Sequence, residues 1–129
     1  MNKIIEVIKN KEDYIGANGC SDEEIAKAEK VLKLKFAKDY KDYLTFIGLA
    51  CFDGHELTGI TKNSRLNVVD VTNKQRANIE EIPNDWYIVE ELNYDGIIIW
   101  QNTNGEIFET QHNQIAGKIH NSLLEYIDK

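Results

Sequence analysis

Between Ala77 and Gly117 the chain has no Lys or Arg, although eight carboxylates fall there: Glu80, Glu81, Asp85, Glu90, Glu91, Asp95, Glu106 and Glu109. A surface of that sign repels nucleic acid and attracts basic proteins. Nucleic-acid binding would also need a basic strip interleaved with aromatics. Here Trp86, Tyr87, Tyr94 and Trp100 sit among the acids instead. Proline occurs once, at Pro83, and there is no internal repeat, low-complexity segment or linker. No segment approaches the roughly 20 apolar residues of a membrane span. The N-terminus lacks the unbroken apolar core of a signal peptide. Cysteine is scarce. Cys20 and Cys51 have no CxxC spacing, and free thiols in a reducing cytoplasm are the plain reading. A disulfide between them is geometrically possible, but nothing in the sequence argues for one.

What is present fits one domain, residues 1–129, long enough for a hydrophobic core. The net charge of −7 is unevenly spread. Residues 1–76 hold 13 basic and 12 acidic side chains, whereas residues 77–129 hold 2 and 10. Asymmetry of that kind points to an interaction surface.

Helical spacing of Ile4, Ile5 and Ile8 predicts a short helix over residues 3–10. Ser21 and Glu24 form a capping box that opens a helix burying Ile25, Ala28 and Leu32 and running to about Leu34. A second helix is expected from about Ala37 to Ile47, with Tyr40, Leu44 and Ile47 inward and Gly48 at its end. Six Lys and six Asp/Glu alternate over the outer faces from Ser21 to Leu44, the pattern of a solvated surface. Gly54–Ile60 and Asn67–Val71 suggest short strands, and Thr72 can cap a short helix over about Asn73–Glu80. Tyr87–Leu92, Ile97–Gln101 and Glu106–Thr110 then form an antiparallel meander, because Asp95-Gly96 and Asn104-Gly105 supply the positive φ that hairpin turns need. Ile97 to Trp100 are all apolar, so the middle strand should be covered on both faces. A last helix begins near Ser122, with Glu125 completing a second capping box and Leu123, Tyr126 and Ile127 inward. The expected class is α+β, with N-terminal helices packed on an antiparallel sheet and a short C-terminal helix.

The chain contains no phosphate loop, GxGxxG, HExxH, GxSxG or Cys/His cluster, so neither cofactor nor metal is expected. His55, His112 and His120 are isolated in sequence. His55-Glu56 could form a ligand or base pair, but in a Gly-bounded strand it is more often structural. A carboxylate-dependent hydrolase needs two acids converging on one cleft. Glu90 and Glu91 are adjacent on a strand and should diverge, and Glu106 and Glu109 are also placed on opposite faces. The acidic sheet therefore suggests partner attraction, with Asp85, Glu90, Glu91, Asp95 and Glu109 as charges and Trp86 or Tyr94 as an apolar anchor. Half-buried packing accounts for Trp86 and Tyr94 equally well. Because Glu90 and Glu91 diverge, one of the two should be silent.

The segment from Ser21 to Leu44 resembles the signature helix pair of the SUKH superfamily, the Smi/Knr-type proteins. That pattern is a capped helix with a central Glu, a short link, then a Tyr-Lys-x-x-Leu helix ending near Gly; Glu29, Tyr40, Leu44 and Gly48 match it. Gly54–Ile60, Asp95-Gly96 with Thr103–Phe108, and Ser122–Ile127 resemble the family's short strand, meander and closing helix. The chain departs from it at Ala37, where Pro is usual, at Ile47, where many members have Asn, and around Trp100-Gln101, where an Asp is usual. The resemblance implies a non-enzymatic α+β domain. Many bacterial members are immunity proteins that neutralise a cognate polymorphic toxin, often a nuclease, while fungal relatives are regulatory protein-binding scaffolds. A basic toxin would suit the acidic half, since opposite charge speeds association.

Overall fold

Two antiparallel sheets and five helices make up the computed structural model, which describes residues 3–92 and 94–128. In chain order they are α1 (Lys3–Lys9), β1 (Ile15–Gly16), α2 (Asp22–Leu32), α3 (Lys38–Phe46), β2 (Ala50–Phe52), β3 (His55–Glu56), α4 (Val68–Asn78), β4 (Tyr87–Glu91), β5 (Ile97–Gln101), β6 (Ile107–Gln111), β7 (Gln114–His120) and α5 (Leu123–Ile127). The smaller sheet has the order β1-β2-β3 and the larger β4-β5-β6-β7. The α+β class expected from the sequence is the class observed.

Local chemistry sets the helix ends. Ser21 Oγ accepts from the Glu24 N–H at 3.1 Å, and Glu24 Oε1 accepts from the Ser21 N–H at 2.9 Å, so the capping box of α2 is complete. α3 has no side-chain cap at Ala37. It stops at Gly48, whose φ of +85° a side chain would strain and whose N–H donates to Tyr43 O at 2.9 Å. At α5, Ser122 Oγ accepts from Glu125 N–H as expected, but Glu125 Oε1 accepts from Asn121 N–H, one residue before the cap.

Side chains from α1, α2, α3 and α5 bury one face of the large sheet. Ile5, Ile8, Tyr40, Tyr43, Leu44 and Ile47 are all fully buried there. Tyr87, Val89, Ile99 and Ile107 face them from the strands. The other face carries a smaller cluster of Val71, Ile79, Trp86, Ile88, Ile98 and Trp100, to which α4 contributes. β5 is thus covered on both sides, as its apolar run predicts. The buried hydroxyls form a fixed relay. Thr58 Oγ1 donates to Ile88 O at 2.8 Å, so at 2.8 Å from Tyr40 it accepts the phenol proton. Tyr43 O–H donates to Thr58 O.

Several elements differ from the sequence expectation, the short strands β1 and β2 among them, for which no strand was expected. Asn67–Val71 is not a strand. Asn67 Oδ1 accepts from the Val69 and Asp70 N–H groups and opens α4 there. Thr72 lies inside that helix, and its hydroxyl accepts instead from Ile88 N–H at 3.0 Å. Within Gly54–Ile60 the named strand is only β3, followed by a single bridge from Gly59 to Asn67. Beyond β3 Thr58 N–H bonds Val89 O at 2.9 Å, tying the two sheets together. Gly59 packs against the chain after α3, where a Cβ would stand 1.8 Å from Gly48 O. The meander also has a fourth strand, β7, entered through His112 and Asn113, both at positive φ.

Candidate functional site

Strand β4 carries an irregularity that decides where its acids point. Ile88 pairs with Trp100, but the next pair is Glu90 with Ile99, so Val89 is the extra residue of a bulge. Without it, strict alternation from Tyr87 would turn Glu90 toward the Trp100 face. With it, Glu90 turns toward the helix-covered face that Ile99 shares.

There Glu90 is 1% exposed and accepts three hydrogen bonds. Its Oε1 takes the His55 Nδ1–H at 2.9 Å and the Tyr126 hydroxyl, and its Oε2 takes the Glu56 N–H at 2.7 Å. Burial, and then the adjacent Glu90 charge, push the Tyr126 phenol far above its ordinary range, so it stays protonated and donates. Above this cluster lies an open cleft of about 590 Å³ between the β2–β3 turn and the β4–β5 turn. Asp13, Ile15, His55, Glu56, Glu91 and Tyr94 are among its lining residues. Glu56 at its rim is held by Arg65 through hydrogen bonds of 2.7 and 3.1 Å, which keep its carboxyl below the usual range.

The sequence-nominated residues divide into two groups. Glu91, Tyr94 and Asp95 lie together at the β4–β5 end of the large sheet. Tyr94 is 61% exposed, Asp95 is exposed in the turn, and Glu91 is half-buried, with Gln75 Nε2 donating to it at 3.0 Å. Glu109 is half-buried on β6, in the row that crosses the sheet through Ile99 to Glu90. Asp85 and Trp86 lie at the opposite end of β4, roughly 16 Å away along five residues. Trp86 is 5% exposed and stacks on Phe108 with ring centroids 4.2 Å apart, so it serves the core and offers no surface anchor. Asp85 stands beside Arg76, whose guanidinium donates to Asn84 O and Trp86 O. Glu90 turns its charge inward, beneath the cleft. Glu106 is neutralised by Lys118 at 2.8 Å. The basic residues absent from the acidic stretch are thus supplied partly by its flanks.

Asp13, Ile15, His55 and Glu56 are among the cleft residues that the sequence did not nominate for binding, and Tyr126 reaches Glu90 beneath them. The His55-Glu56 dipeptide was the available signal, but its partner Glu90 depends on a bulge. No serine, threonine or cysteine hydrogen bonds to His55 among the described residues, and no group of three or more metal-binding side chains occurs among them. Cys20 and Cys51 are free thiols. No helix among the described residues is long and apolar enough to cross a membrane.

The class defined by this architecture is an α+β domain with a helix-covered antiparallel sheet. A family model described as SUKH_5, SMI1-KNR4 cell-wall, matches residues 1–129, and the chain belongs to that family. No curated protein matches the chain. Membership places it among immunity-like or SMI1/KNR4-type proteins, which in general bind other proteins and are not catalysts.

Proposed function

We propose that the chain is an immunity protein that binds and neutralises a cognate toxin, and that it docks through the β4–β5 end of the large sheet. The observation that carries this reading is Tyr94, a 61% exposed aromatic standing between Glu91 and Asp95 at the lip of an acid-lined cleft. Aromatic side chains with few rotatable bonds make good binding anchors, and surrounding acids set partner sign and encounter rate. The partner suited to that surface is a basic protein, and a nuclease toxin has the required charge. Glu109 joins the face through its row on the sheet. Asp85 and Trp86 have no direct part in it.

The test is binding kinetics against the protein encoded by the adjacent gene, with rescue from its toxicity as the functional readout. Tyr94→Ala should speed dissociation and abolish rescue while circular dichroism stays unchanged. Unaltered kinetics and rescue would move the interface elsewhere, to the charged outer faces of α2 and α3. A regulatory scaffold of the Smi/Knr type would use the same surface without any toxin rescue.

A further inference from the structure

His55 stands in the cleft with only one ring nitrogen engaged. A carboxylate can only accept, so the 2.9 Å contact to Glu90 puts the proton on Nδ1. In the neutral ring Nε2 is then a lone-pair acceptor. No buried side-chain nitrogen or oxygen among the described residues lacks a partner, and Nε2 has none, so it must open to the cleft that His55 lines. The ring is held between Phe52 and Tyr126, with centroids 5.5 and 5.3 Å away. Its tautomer and tilt are therefore set before any partner arrives.

We propose that this cleft receives one cationic side chain of a protein partner, an arginine or a lysine, which donates to His55 Nε2. The proposal rests on the reading of the chain as a partner-binding domain and assigns the pocket that reading leaves open. An acceptor-only nitrogen selects a donor. Glu90 beneath it, with Asp13, Glu56 and Glu91 in the walls, selects a positive one. The nearby cations are already engaged: Arg65 on Glu56, and Lys11 at 3.9 Å from Asp53. The apolar walls suit the stem of such a side chain. Ile15 is 70% exposed and Tyr94 offers an open ring, so methylenes can lie on one and a guanidinium on the other.

The experiment is a nitrogen–proton NMR titration of the whole chain with N-acetyl-arginine methylamide, its lysine analogue, and the glutamate analogue as control. The expected result is saturable shifts at His55, Glu56, Glu91 and Tyr94 with a millimolar dissociation constant, for one or both cationic probes and not for glutamate. Tyr94→Ala should weaken binding about threefold or more. Absence of saturation, equal shifts with the glutamate probe, or shifts confined to α2 and α3 would each overturn the proposal. No toxin is present in this assay. Toxin binding with a silent probe removes only the pocket, whereas probe binding without toxin binding removes only the proposed function.

Discussion

The two ends of the four-stranded sheet use similar residues to opposite effect. At the β5–β6 end the buried polar side chains are tied down. Tyr87 O–H donates to Gln101 Oε1 at 2.6 Å and accepts from Ala37 N–H at 2.9 Å. Gln101 Nε2 donates to Asp39 Oδ1 and to Gly105 O, and Asp39 Oδ2 accepts from Leu123 N–H at the start of α5. Thr103 Oγ1 donates to Lys35 O at 2.7 Å, closing the turn onto the α2–α3 link. At the β4–β5 end Tyr94 and Asp95 project from a hairpin turn and are exposed. An aromatic beside an acid is thus structural at Asp85-Trp86 and available to a partner at Tyr94-Asp95. Sequence context is alike, and the difference is what else the fold brings to the spot.

The sharpest test compares the two aromatics. Trp86→Ala should cost about 3–5 kcal/mol in a denaturant titration, the range for large buried side chains, whereas Tyr94→Ala should stay within about 0.5 kcal/mol. Equal losses would erase the contrast. Next in size is Asp39→Ala, which orphans donors on Gln101 and Leu123 and should cost about 1–3 kcal/mol. A thermal midpoint unchanged by it would show that the tied end is not held by this carboxylate.

Alkali should ionise the helix-covered core beneath the tied end only as the fold opens. Burial raises the phenols of Tyr40, Tyr43 and Tyr87 above their ordinary range. A folded-state pKa above the unfolded value of about 10 gives stability that is complete below that pH and is lost as pH rises through the folded values. The phenolate absorbance of these three buried groups should therefore appear only together with loss of circular dichroism. Their ionisation with the fold intact would contradict it. The smallest stability effect belongs to Asp95→Lys with Glu109→Lys. That pair should leave unfolding unchanged yet slow association with a basic partner by about tenfold at low salt, and flatten its salt dependence.

Much of the scaffold was legible in the sequence because its signals are local. Ser21 and Glu24, Gly48, and the Asp-Gly and Asn-Gly turns each act within a few residues. The misreadings have equally local causes. Val68, Val69 and Val71 are β-branched and look like a strand, but Asn67 caps them, and Val68, Val71 and Thr72 are buried at helical spacing. β7 was invisible because Gln-Ile-Ala-Gly-Lys-Ile-His has little alternation and a glycine at its centre. The site was only partly legible. Tyr94 and Asp95 could be placed from their turn. The inward aim of Glu90 follows from one extra residue in β4, and its partners His55 and Tyr126 lie 35 and 36 positions away.

β7 ends the sheet order, so its outer edge faces no further strand of that sheet. Two register shifts interrupt its pairing with β6, between Ile107 and Phe108 and between Glu109 and Thr110. Bulges there over-twist the edge and stagger its free N–H and C=O groups, and Lys118 adds a charge. A second molecule therefore meets no straight template to extend. Clouding of a concentrated, warmed solution should accordingly track the fraction of chains that have unfolded, with native particles adding nothing to growing fibres.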